Sequence, residues 1–350
     1  MTRDNVARHA SHVTRHDNTM RYRRLIDIIA PNAKNISFCI LFGLLFWYDL
    51  FLPQTADIVG GSIPVSVKSP LSFLIEEFLP PAGLLAKITG MLLYLLLCFV
   101  ILGLNEVFSF IRVRTILPSF FCQITGGLLL RPYLFFPGII VALLVIAAVF
   151  FSFKLLMEEH PKYAFNVSLL LFTAALFSFS SVWLLIVFWL FAYVGNVFSF
   201  RVFLASLLGA LASAFYAIIG FGIAGSEHLL LEYVQNSFNL FAVDFHFSLP
   251  KILYLTFTGF LILLSLIDFM LVRSQENIKP RKEFSYIIML FISTLVLIIL
   301  SVPDSGTLLW LLVVFGSFLL GRYFSLKNNR FTRVLLSIYF GGSLLLLFFN

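Results

Sequence analysis

Apolar residues fall into eleven runs separated by short polar gaps, at 36–52, 83–104, 115–130, 133–153, 164–179, 182–200, 202–224, 252–272, 284–302, 307–321 and 334–349. A helix that crosses a bilayer needs about 20 apolar residues, with a working range near 17–25, so each run is a candidate span. Two of the divisions follow from length. Residues 163–200 contain no Lys, Arg, Asp or Glu, and one helix of that size would reach about 57 Å at 1.5 Å per residue. The hydrocarbon core is about 30 Å thick, so the chain must turn, and Ser178–Ser181 is the expected place. Residues 115–153 divide at Arg131-Pro132. The run before that break is short and carries Pro118, Gly126 and Gly127, which leaves a re-entrant path as an alternative to a full crossing.

Two polar gaps are long, 53–82 and 225–251. In the first, Ser69-Pro70 is a helix start and Pro80-Pro81 a stop. Leu71, Leu74, Ile75, Phe78 and Leu79 between them keep helical spacing, with Glu76 and Glu77 off the stripe. That pattern predicts an amphipathic helix over 69–80 lying on the membrane surface. The second gap opens with Ser226-Glu227, a helix start running through Tyr233, and then alternates. Phe241, Val243, Phe245 and Phe247 take one face and Asp244 and His246 the other.

Charge gives these runs a direction. Twenty of the 24 Lys and Arg residues lie in the N-terminal arm or in alternate gaps (112–114, 154–162, 201, 273–282 and 322–333). The opposite side keeps Lys68, Lys87, Arg131 and Lys251. Such a bias sets the N-terminus inside and the C-terminus outside. The expectation is an all-α, polytopic transmembrane bundle of about eleven spans. It comprises a cytoplasmic basic arm, 1–34, and a single transmembrane domain, 35–350, with outer loops 53–82 and 225–251. Composition agrees: the chain is 60% hydrophobic and 12% charged, against roughly 45–50% and 25% in soluble domains. The net charge of +7 is thereby explained by membrane orientation and does not call for nucleic acid. The 43 Phe are accommodated by a lipid-facing surface. Cys39, Cys98 and Cys122 lie in apolar runs at spacings that suit neither a disulfide framework nor a metal site. His9, His12 and His16 are scattered along the arm and read as solvated.

Zinc, P-loop, dinucleotide and kinase signatures are absent. Candidate chemistry therefore rests on polar groups near bilayer depth, which are costly and often functional. Asp49 is the sharpest, in Trp47-Tyr48-Asp49-Leu50-Phe51-Leu52 at the outer end of the first span, with Asp57 eight residues on. Lys68, Arg131 and Lys251 depart from the positive-inside trend. An anionic group such as a lipid phosphate would give them a reason, since guanidinium pairs with phosphate through two hydrogen bonds; snorkelling beside Pro132 is the plainer account of Arg131. Glu76 and Glu77 read as the wet face of the surface helix, and His228, Glu232, Asp244 and His246 offer a base or metal ligands. Asp268 is expected to pair locally with Arg273. Ala205, Gly209, Ser213 and Ala217 form a small-residue stripe for close helix packing.

Two resemblances follow from these residues. Asn105, Leu117-Pro118-Ser119-Phe120, Ala164-Phe165-Asn166, Ala174-Ala175-Leu176-Phe177, and Arg201 ahead of Gly209 resemble a Bacteroidota-type family of multi-pass inner-membrane proteins without an established activity. The layout as a whole is similar to polyprenyl-phosphate-sugar glycosyltransferases of the GT-C type. These have a cytoplasmic N-terminus, an outer first loop with a surface helix, and a further outer loop after the seventh span. That likeness implies a lipid-linked sugar as partner, with Asp49 or Asp57 serving the acceptor or positioning a divalent metal. Arg131, Lys68 or Lys251 would hold the lipid phosphate, beside Glu76, Glu77, His228, Asp244 and His246. A secondary transporter or flippase and a non-catalytic envelope protein are the alternatives.

Overall fold

The computed structural model describes residues 30–45, 69–71, 75, 84–130, 136–223, 230, 232–235, 249–300, 305–327 and 329–349. Among them the chain is helical and forms no strand. One α-helix falls on each apolar run: α1 (Ala33–Leu45), α2 (Leu84–Phe108), α3 (Leu117–Leu129), α4 (Phe136–Glu158), α5 (Pro161–Ala175), α6 (Trp183–Val194), α7 (Phe200–Ile223), α8 (Leu249–Val272), α9 (Ile278–Ile299), α10 (Ser305–Leu326) and α11 (Arg330–Phe349). Six of them, α2, α4, α7, α8, α9 and α10, are long and apolar enough to cross a membrane. The molecule is thus an all-α bundle fitted to a bilayer, and multi-pass.

The expected turn after α5 is present. The helix ends at Ala175, the Leu176 and Phe177 amides bond back to Thr173 and Ala174, and Ser178 is extended. A 3₁₀ turn, Phe179–Val182, then leads into α6. Ser109 and Glu159, each directly after a helix, and Asn196, two residues after α6, take left-handed backbone. Such residues end a helix by turning the chain away from its axis.

Side-chain contacts fix the direction of each helix. Tyr94 and Ser119 bridge α2 and α3: Tyr94 Oη donates to the Gln123 carbonyl at 2.5 Å and Ser119 Oγ to that of Cys98 at 2.9 Å. The two helices are therefore antiparallel. In the same way α10 is antiparallel to α3, where Gly321 meets Pro118 and Gly126 meets Trp310. It is parallel to α8, where Ser265 Oγ donates to the Leu319 carbonyl at 2.7 Å and Ile262 meets Gly316. Helix α3 has 13 residues, all buried, and is about 20 Å long. Gly126 near its end and Gly138 at the start of α4 both face Trp310. The end of α3 and the start of α4 thus lie at the same level, that of Trp310.

Helix α10 forms the centre: 89% of its most apolar stretch is buried by protein, including Trp310, Phe315, Phe318 and Leu319. Helices α5 and α7 form the tightest pair. A Cβ on Gly209 would lie 2.3 Å from the Phe165 carbonyl oxygen, so the backbones touch where the stripe of small residues predicts close approach.

Candidate functional site

One end of the bundle gathers ionised groups. Arg322, in the last turns of α10, is 1% exposed, and its Nη2 lies 2.5 Å from Glu276 Oε1. Its guanidinium lies 4.8 Å from the centroids of both the Phe269 and the Phe284 ring, which adds cation–π attraction in a desolvated place. Arg112, from the turn between α2 and α3, approaches the same carboxylate at 3.7 Å and donates to the Gln275 carbonyl at 3.3 Å. That turn is held by Asn105, which donates to the Val113 carbonyl and accepts from the Ile111 amide. Nearby, Asp268 pairs with Lys327 at 2.5 Å. This corrects the local pairing with Arg273: α10 runs parallel to α8 and brings Lys327 to Asp268. Lys282 donates to the Gly195 carbonyl at 2.9 Å, and Gly195 also packs on Leu156. Five gaps assigned inside by charge therefore share this end: 109–116, 158–161, 195–199, 273–277 and the one after α10.

Glu283, on the second turn of α9, is fully buried, and neither carboxylate oxygen has a hydrogen-bond partner. Nη1 of Arg322 is likewise buried without an acceptor. Neither was legible as a site. Arg322 counted as one more inner cation. Glu283 follows Lys279, Arg281 and Lys282 in a charged stretch. The available signal was an Arg inside an apolar stretch, between Gly321 and Tyr323-Phe324.

The described residues of the two long loops meet the opposite end. Tyr233, from the loop between α7 and α8, donates to the Ala175 carbonyl at 2.9 Å, and its ring meets Phe179 edge-on. Leu230 and Glu232–Gln235 are helical, as the Ser226-Glu227 start predicts. Pro70, Leu71 and Ile75 of the first loop are helical too. Leu71 lines a cavity of about 470 Å³ together with Leu169 of α5, Leu176 just after it, and Ala217 and Phe221 of α7. Hydroxyls of Thr173 and Ser213 face each other there at 3.2 Å. Beside it, the hydroxyls of Ser178, Ser180 and Ser181 are buried and unpartnered.

Of the candidate site residues, Lys251 is described: it lies half-buried in the first turn of α8. Asp49, Asp57, Lys68, Glu76, Glu77, Arg131, His228, Asp244 and His246 lie outside the described residues, as do His9, His12 and His16 and the alternating strand-like stretch. Glu232 is exposed on its helix. Among the described residues no three His, Cys, Asp or Glu side chains come together as metal ligands, and Cys39, Cys98 and Cys122 are buried free thiols. Comparison of the chain with models of protein families, with curated proteins and with solved structures gives no match.

Proposed function

We propose that the chain is a bacterial inner-membrane protein of eleven crossings, N-terminus in the cytoplasm, which transfers a sugar from a lipid-linked donor at the outer face. The observation that supports it is convergence. Leu71 from the first long loop and Tyr233 from the second meet the same end of α5, opposite the end that carries the Arg322–Glu276 cluster. Both loops on this reading face one compartment, and the acidic and histidine residues they carry share it. On this reading Asp49 or Asp57 takes the proton of the acceptor hydroxyl as its oxygen attacks the sugar carbon, which is general-base catalysis. The lipid phosphate leaves, held by Lys68, Arg131 or Lys251. A divalent metal held by the same carboxylates is compatible with this scheme. The filled centre of the bundle weighs against the flippase alternative. A path through the middle would have to displace Trp310, Phe315 and Phe318 of α10, whereas transporters place their sites at the midplane between broken helices.

The test uses Asp49→Asn and Asp57→Asn in a strain that lacks the chain. Loss of transfer to the acceptor, at unchanged membrane abundance, is expected of at least one variant. Full complementation by both would remove the carboxylate mechanism.

A further inference from the structure

The cavity between α5 and α7 has walls with a particular chemistry. It lies along the second half of α7, a helix long and apolar enough to cross a membrane, so at that depth its surroundings are hydrocarbon. Among the described residues no charged side chain lines it. Two of the three hydroxyls among its described lining residues are already engaged, the third being that of the largely exposed Tyr216: Thr173 Oγ1 donates to the Leu169 carbonyl at 2.8 Å and faces Ser213 Oγ. Water would find few partners, and an ordered water needs two to four. Apolar matter is what such a wall retains.

Access and size narrow the occupant. Tyr216 is 72% exposed at the wall, and a Cβ added to Gly220 would meet nothing within 4 Å, so the cavity opens sideways between helices. At roughly 30 Å³ per water-sized group, about 470 Å³ takes on the order of fifteen methylenes, the size of one ordinary acyl chain. Leu71 then supplies a contact that a bare helix surface lacks, because it comes from the loop between α1 and α2. We infer that this cavity is a binding site for one acyl chain of a phospholipid from the surrounding leaflet, held between α5, α7 and Leu71. The inference stands apart from the transfer chemistry proposed above. Its consequence is that Leu71 is seated on lipid as well as on protein.

The experiment uses the full chain in nanodiscs of phosphatidylethanolamine and phosphatidylglycerol that include a phospholipid with a diazirine on one acyl chain. After irradiation, mass spectrometry locates the adducts. Adducts are expected on 169–176 and 213–221 in clear excess over the segment of α8 around Gly259. Gly220→Trp should fill the cavity without striking protein and lower cavity labelling at least tenfold. Gly259→Trp, at another position with open space about its Cβ, should leave it unchanged. Gly220→Leu gives the same reading should the larger side chain lower the yield of protein. Labelling of the cavity no stronger than that of α8 would overturn the inference. So would labelling that survives both Gly220 variants, or cavity labelling removed by polyprenyl phosphate and not by excess phospholipid.

Discussion

At the scale of single residues, the Arg322–Glu276 pair is where the chain departs furthest from an apolar core. Taking both ions out of water costs several kcal/mol each, and the attraction between them returns that only when they stay paired. Both are almost fully buried, the pair is 2.5 Å apart, and two aromatic rings adjoin the guanidinium. Arg322→Met should therefore lower stability by about 3–5 kcal/mol, because it leaves Glu276 facing only the distant Arg112. The double variant Arg322→Met, Glu276→Gln should recover most of that loss. Thermal unfolding of the four proteins in one detergent measures the coupling, and a single Arg322 variant as stable as the parent would contradict it. None of this pairing could be read from spacing. Arg322 and Glu276 are 46 residues apart, and residue counting along one helix had given Asp268 a neighbour five positions away. Spacing reports what shares a helix face; it says nothing of which helix lies alongside. The outer candidates Asp49 and Asp57 came instead from composition and sidedness, which place residues in a compartment and not in a site.

At the scale of elements, the helices were largely legible because each needs its own apolar run and each gap holds charge, serine, glycine or proline. The boundaries moved for local reasons. Helix α5 stops at Ala175, not at residue 179, since Ser178 turns to extended backbone and starts the 3₁₀ turn. Helix α10 continues past residue 321 to Leu326, since Arg322 finds a buried partner and need not end the helix. Contact between α5 and α7 was also readable, because Ala205, Gly209, Ser213 and Ala217 recur every four residues, the signal for close backbones. Gly209→Leu should force these two helices apart: even its Cβ would fall 2.3 Å from a carbonyl oxygen, and backbone cannot swing aside as a side chain can. Overpacking of this kind costs about 1–3 kcal/mol or more. Gly259→Ala, with open space about its Cβ in α8, should instead add about 0.5–1 kcal/mol through lower helix-forming cost. The sign difference, read as two melting temperatures, tests the packing; equal behaviour of the two variants would refute it.

At the scale of the whole molecule, the bias of Lys and Arg and the packing of helices are independent observations about sidedness, and they agree. Counting basic residues divides the gaps into two sets without any geometry. In three dimensions Arg112 reaches Glu276, Arg322 reaches it from α10, and Lys282 reaches Gly195 after α6, so one set is tied together at one end. Leu71 and Tyr233 of the other set meet α5 at the opposite end. An error of one span between two of these gaps would have put them at opposite ends, and their contacts bring them to one end. What packing cannot give is which end is the cytoplasm, because a bundle is the same object either way up; the positive-inside rule supplies that. Impermeant maleimide on intact cells decides it. Cysteine placed at Asp57 or Asp244 should be labelled from outside, whereas cysteine at Lys279, exposed at the ionised end, should react only after the membrane is opened. The native thiols give little background, since Cys39, Cys98 and Cys122 are all buried. Labelling of position 279 in intact cells, with 57 and 244 silent, would invert the molecule and move every outer-face carboxylate to the cytoplasm.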